Sequence, residues 1–186
     1  VVSAGNEGNK AWQKSTPPGD ARNVLAVGAV GTDSVIASFS SRGQMADGRV
    51  KPDLVSVGRA TVTIGQDGLI GFTNGTSLSS PFLAGLITSL WSVNPDLHRS
   101  DLVDIVKRSS DRFESPDSIY GHGIPDFQKA LEEVLRTLPV HSTRVADDRW
   151  LIEPVSIDGY QARVLDPPFS GDAYRVRMLD ESGYLI

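Results

Sequence analysis

Short apolar runs broken by glycine, proline and asparagine fill the first three quarters of the chain. Val1-Val2, running into Ser3-Ala4-Gly5, reads as the end of a buried strand entering a turn. Val24-Leu25-Ala26-Val27 before Gly28, Val35-Ile36-Ala37 and Leu54-Val55-Ser56-Val57 read as further buried strands. Ile70-Gly71-Phe72 leads into the turn signal Asn74-Gly75. From Ser77 the period changes. Phe82, Leu83, Leu86, Ile87, Leu90 and Trp91 recur at three- and four-residue spacing, which predicts a helix closed by Asn94-Pro95. Ser100 is placed to cap a second helix carrying Leu102, Val103, Ile105 and Val106. A third helix is expected from Pro125-Asp126, with Phe127, Ala130, Leu131, Val134 and Leu135 on its apolar face. Residues 1–138 therefore read as an α/β unit.

After Leu138-Pro139 the helical period disappears. Trp150-Leu151-Ile152, Ala162-Arg163-Val164-Leu165 and the run from Tyr174 to Leu179 read as short strands. A turn over Asp180 to Gly183 and a returning strand from Tyr184 are expected to follow. Residues 139–186 are thus expected to form part of a β-sandwich. Both ends cut through expected strands, so the chain reads as a piece of a longer protein.

Composition narrows the function classes. Eighteen Lys+Arg against 23 Asp+Glu leave a net charge of −5, which disfavours a nucleic-acid binder. No run approaches the roughly 18 apolar residues of a membrane span. With no cysteine, a thiolate metal site and a cysteine nucleophile are excluded.

Two segments could carry chemistry. Gly75-Thr76-Ser77-Leu78-Ser79-Ser80-Pro81 delivers a serine onto the first turn of the long helix. Free N–H groups and the positive helix end there favour a developing negative charge. The alternative is an ordinary Ser/Thr cap on a core helix. Ser3-Ala4-Gly5-Asn6-Glu7-Gly8 places Asn6 outside the carboxyl end of a strand, where α/β sheets hold ligands. Its amide could serve an oxyanion, or Asn-Glu-Gly could be only a turn.

Together these segments resemble the subtilisin-like serine proteases. Val24–Val30, Ser38–Gly43, Lys51–Gly58 and Tyr120–Asp126 are similar to segments of that family in the same order, and the resemblance covers residues 1 to about 136. It implies a three-layer α/β/α sandwich around a mostly parallel sheet, truncated at its N-terminus. It also implies a serine endopeptidase acting on protein or peptide substrates. Ser77 is then the nucleophile and Asn6 the oxyanion donor, with the Ser77 N–H as second donor. Ala4, Gly5, Gly75 and Thr76 shape the substrate site. Glu7 either sits at the rim of the pocket or is a solvated surface carboxylate. Thr76 and Pro81 are expected to fix the turn and the helix start. Leu78 stands where the family more often has Met, a volume-conserving exchange.

The family's Asp and His precede its Ser-Ala-Gly-Asn segment and have no counterpart here. His98 reads as a loop residue, His122 as structural, and His141 lies past the domain boundary, so none is assigned as base. The chain alone is expected to be inactive. Asp47, Asp53 and Asp67 show no calcium-loop spacing, so no metal ligands are assigned, although calcium is common in the family. The resemblance further implies a secreted or cell-surface bacterial protein in which residues 139–186 form an accessory or sorting domain. Two rival readings stand beside it. One is a non-catalytic peptide-binding or surface module of the same fold. The other is an unrelated α/β hydrolase, disfavoured by the missing Gly-x-Ser-x-Gly elbow.

Overall fold

A computed structural model describes residues 1–45, 47–138, 140–146, 149–154, 160–164 and 176–180. The chain divides into two compact units, Val1–Val134 and Leu135–Ile186.

In the first unit the strands are β1 (Val2–Ser3), β2 (Ala26–Val30), β3 (Gly43–Gln44), β4 (Val50–Lys51), β5 (Leu54–Val57), β6 (Thr61–Ile64) and β7 (Ile70–Thr73). The helices are α1 (Thr76–Trp91), α2 (Arg99–Arg108) and α3 (Phe127–Arg136), the last running two residues past Val134. β1, β2 and β5 form a parallel sheet in that order, with Val2 opposite Ala26 and Val27 opposite Leu54. All five residues of β2 are buried, as a strand covered on both faces requires. Val27 and Leu54 meet Leu83, Ile87 and Leu90 of α1, then Leu102, Ile105 and Val106 of α2 and Ala130 and Val134 of α3. Each such side chain contributes about 1.5–3 kcal/mol by leaving water. This is an α/β fold with a parallel sheet, as the residue pattern predicts.

The start of the sheet is tied by charge. Asp53 Oδ2 accepts from the Ala26 N–H at 2.7 Å and from Lys51 Nζ at 2.5 Å, and Oδ1 accepts from Lys107 Nζ of α2 at 3.1 Å. Lys51 also donates to the Val24 carbonyl at 3.0 Å, and its side chain is only 2% exposed. Removing the carboxylate strands a buried ammonium. Asp53→Ala should therefore destabilise the protein by about 3–5 kcal/mol. Chemical denaturation measures this, and an unchanged midpoint would show that Lys51 does not depend on Asp53.

Three expectations need correction, and one pairing was not foreseen. Val35–Ala37 is not a sheet strand: Ile36 makes one isolated bridge to Val30, and Val35 is half exposed. Ser34, at φ +62°, turns the chain away before a ladder can form. Ile70–Phe72 is a strand, but β7 pairs antiparallel with β6, unforeseen from the pattern, in a hairpin whose Ile70 and Phe72 are exposed. Ser100 does not cap α2. His98 does, its Nδ1 accepting from the Ser100 N–H, so His98 has a structural role in the connection. Pro81 is not at a helix start; it is the sixth residue of α1. The apolar stripe of α1 also divides, with Leu83, Ile87 and Leu90 buried while Phe82, Leu86 and Trp91 are exposed. The third helix agrees with its signal, because Asp126 Oδ1 accepts from the N–H groups of Gln128 and Lys129.

In the second unit β8 (Val140–Ala146) pairs antiparallel with β9 (Arg149–Pro154), and β10 (Tyr160–Val164) with β11 (Val176–Asp180). β9, β10 and β11 fall where short strands are expected, while β8 was not signalled. The turn and returning strand expected from Glu181 to Ile186 lie outside the described residues.

Candidate active site

Gly75 sets where α1 begins. Its N–H donates to the Gly58 carbonyl at 2.8 Å, and the Gly58 N–H donates to Val30 at the end of β2. Gly58 follows β5 directly, so α1 starts at the carboxyl ends of the parallel strands. Asn6 reaches the same place from β1. Its loop is held by Ser41, whose N–H donates to the Gly5 carbonyl at 2.9 Å and whose Oγ accepts from the Glu7 N–H at 3.0 Å. Gly5 lies at φ +108°, and a Cβ there would stand 2.8 Å from Thr16 Oγ1 and 2.9 Å from Ser41 Oγ. Both the backbone conformation and the space call for glycine. Ser41, fully buried within the Ser38–Gly43 segment, is a supporting residue that the sequence reading did not single out.

The two segments lock through Thr76. Asn6 Oδ1 accepts from the Thr76 N–H and from Thr76 Oγ1, both at 3.0 Å, while Thr76 Oγ1 accepts from the Gly5 N–H at 3.2 Å. An N–H of the first turn of α1 is thus capped from 70 positions away. The N-cap residue itself is Gly75, with no side-chain cap, so Ser77 is not the helix cap. Asn6 is not among the positive-φ residues, so a left-handed turn does not explain it either.

Fixing Oδ1 fixes the other end of the amide. Asn6 Nδ2 faces away from Thr76, and neither it nor the Ser77 N–H has a hydrogen-bond partner among the described residues. Thr76 and Gly75 are buried, whereas Ser77 and Asn6 are exposed. A Cβ built on Gly75 would lie 2.9 Å from Ser77 Oγ and 3.7 Å from both Asn6 Nδ2 and Ser77 N. One hydroxyl and two free N–H donors therefore surround a single space that Gly75 leaves open.

The remaining sequence candidates are placed as follows. Ala4 is fully buried beside this loop. Glu7 is half-buried, and its Oε1 accepts from Lys10 Nζ at 2.9 Å. His98 caps α2. His122 sits near Asp53, at the opposite end of the sheet from Ser77, its N–H donating to the Asp53 carbonyl at 2.8 Å. Burial, then the Lys107 charge, hold its pKa below the usual imidazole range. The side chain of His141 lies outside what is described.

Asp47, Asp53 and Asp67 are each engaged within the chain. Asp47 faces Arg49 and Arg22, Asp53 faces two lysines, and Asp67 Oδ1 accepts from the Leu69 N–H. No three His, Cys, Asp or Glu come together among the described residues. Nor is any described helix long and apolar enough to cross a membrane.

The fold and this geometry define a class: an α/β protein that presents an exposed serine on the first turn of a helix, beside unpaired N–H donors at the carboxyl ends of parallel strands. Within that class the chain belongs to the subtilase family, whose family model matches residues 1–123. It is 31% identical over 144 residues to serine protease AprX of Bacillus subtilis, which covers 66% of this chain and 32% of AprX. It is 38% identical over 114 residues to subtilisin-like protease SBT6.1 of Arabidopsis thaliana, covering 56% of this chain and 10% of that protein. The chain thus spans a third or less of these relatives' length. The structure of the Clostridium perfringens CspB protease superposes with a TM-score of 0.58 at 20% identity, over 64% of this chain and 28% of that one, a likeness of fold.

Proposed function

We propose that this chain supplies the nucleophile and the oxyanion site of a serine endopeptidase. The observation that carries the reading is the shared open space between Ser77 Oγ, the Ser77 N–H and Asn6 Nδ2. Acyl transfer needs that set: a hydroxyl to attack a carbonyl carbon, and donors aimed where its oxygen becomes negative. Ser77 attacks the scissile carbonyl while a histidine accepts its proton. Asn6 and the Ser77 N–H hold the tetrahedral oxyanion. The amine leaves with that proton, and water then releases the acid from Ser77. The histidine and its orienting aspartate are assigned to residues outside these 186: His98 caps α2, and His122 lies beside Asp53 at the other end of the sheet from Ser77. Ala4 and Gly5 wall the pocket for the substrate side chain before the cut. Glu7 lies at its rim, and its pairing with Lys10 leaves only a weak preference for basic residues. Substrates are proteins or peptides, and the place of action is outside the cell or at its surface. Accessory or sorting work falls to residues 139–186.

The test uses two samples. The 186-residue chain should hydrolyse a peptide ester no faster than buffer, whereas the full-length protein should turn it over and take up a fluorophosphonate on Ser77. Turnover by the short chain that disappears in Ser77→Ala would overturn the assignment of the base to other residues. No labelling of Ser77 in the full-length protein would overturn the nucleophile.

A further inference from the structure

The starts of β2 and β5 border a crevice of about 270 Å³ lined by Arg22, Arg49, Lys51, Asp53, Lys107 and His122. It lies across the sheet from Ser77, because Asp53 precedes β5 and Gly58 follows it. At about 3.3 Å per residue the two ends are separated by more than 10 Å. Its charge is unbalanced. Four permanent cations face one carboxylate, and both oxygens of Asp53 are taken by Lys51, Lys107 and the Ala26 N–H. Arg22 and Arg49 share a single further carboxylate, Asp47, at 3.1 and 2.8 Å. Two positive charges remain in excess.

The donors are also incompletely used. Arg49 Nε donates to Asp47 Oδ2, and Nη2 donates to the Asp20 carbonyl at 2.9 Å. Nη1 is buried with no partner, as is His122 Nδ1 on another wall. Buried groups of this kind are ordinarily satisfied: the Arg49 guanidinium N–H asks for an acceptor, and His122 Nδ1 donates or accepts according to its tautomer. Arg49 stands next to β4, Lys107 comes from α2, and His122 comes from the loop before α3. Donors on separate walls suit a tetrahedral anion, which offers acceptors in every direction, better than a planar carboxylate.

We propose that this crevice binds a free tetrahedral oxyanion, inorganic phosphate or sulfate, and that the ion joins β4, α2 and the loop holding His122 at a site separate from Ser77. The site does not depend on the protease reading and survives if that reading fails. Thermal unfolding of the full-length protein tests it, with phosphate titrated at constant ionic strength and sodium chloride or sodium acetate as controls. Phosphate at about ten times its Kd should raise the midpoint by about 2–4 °C and saturate, while chloride and acetate leave it in place. Arg49→Gln and Arg22→Gln should each weaken phosphate binding about tenfold or more. The Arg22 side chain is 75% exposed, so its variant reports even where Arg49→Gln does not fold. An equal rise with acetate would overturn the proposal. So would a phosphate effect that never saturates, as general salt exclusion produces, or one undiminished in Arg22→Gln.

Discussion

Ser77→Ala is expected to abolish peptide hydrolysis by the full-length protein while leaving its fold unchanged. The side chain is exposed on the second residue of α1, and its Oγ holds no hydrogen bond among the described residues. Truncation should therefore move stability by less than about 0.5 kcal/mol. Activity behaves differently, because Ser77 Oγ is the hydroxyl that borders the space beside Asn6 Nδ2 and the Ser77 N–H. The expected fall in kcat is about 10⁶-fold. That scale is known for removal of the nucleophile in subtilisin, a member of the same family, and is not obtained from the geometry here. KM should change little, since Ser77 contributes attack and not substrate affinity. A residual rate above the uncatalysed one is expected from the donors alone. Steady-state kinetics on a peptide anilide, with unfolding followed in parallel, separate the two effects. A loss below about a hundredfold would remove Ser77 from the role of nucleophile.

Asn6→Ala should lower kcat by about 10²–10³, again a scale taken from the corresponding subtilisin substitution. The structure adds a way to test why. Asn6 Nδ2 is aimed because Thr76 holds Oδ1 with two hydrogen bonds, and Gly75 keeps the space in front of it empty. A methyl group at Gly75 would enter that same space, 2.9 Å from Ser77 Oγ. Gly75→Ala should therefore lower kcat about ten- to a hundredfold through misplacement of the substrate carbonyl. The two losses should not add: in a Gly75→Ala background, Asn6→Ala should lose much less than in the parent. Strictly additive losses would place Asn6 and Gly75 in independent roles. Asn6 also caps α1, so the Asn6→Ala midpoint is measured alongside and should fall by about 1 kcal/mol.

Much of this was legible along the chain, and the reason is range. β2 is an unbroken run of small and apolar residues, β5 is apolar but for Ser56, and α1 to α3 carry apolar positions at helical spacing, so neighbours in sequence settle their type. Ser77 at the start of a helix after a glycine turn is likewise a local fact. What local pattern cannot report is which residues face water. Val35 and Ile70 have the same apolar character as Val27 and Leu54, yet they are exposed, because among the described residues no element packs over them. His98 outcompeted Ser100 as the cap of α2 through the geometry of the incoming chain.

The sequence by itself determined the class of the protein: the order of strands and helices, the family motifs, and the serine and asparagine proposed here to carry the chemistry. The tertiary structure alone decided how they act. Asn6 has a directed amide only because Thr76, 70 positions on, holds its other end. Lys51 is tolerable inside the protein only because Asp53 meets it, with Lys107 of α2 reaching the same carboxylate. Arg49 and His122 line one crevice only because the chain beside β4 and the loop before α3 come together in the fold. Hydrogen bonds and ion pairs act over about 3 Å, and a chain has no such distances between remote residues until it has folded.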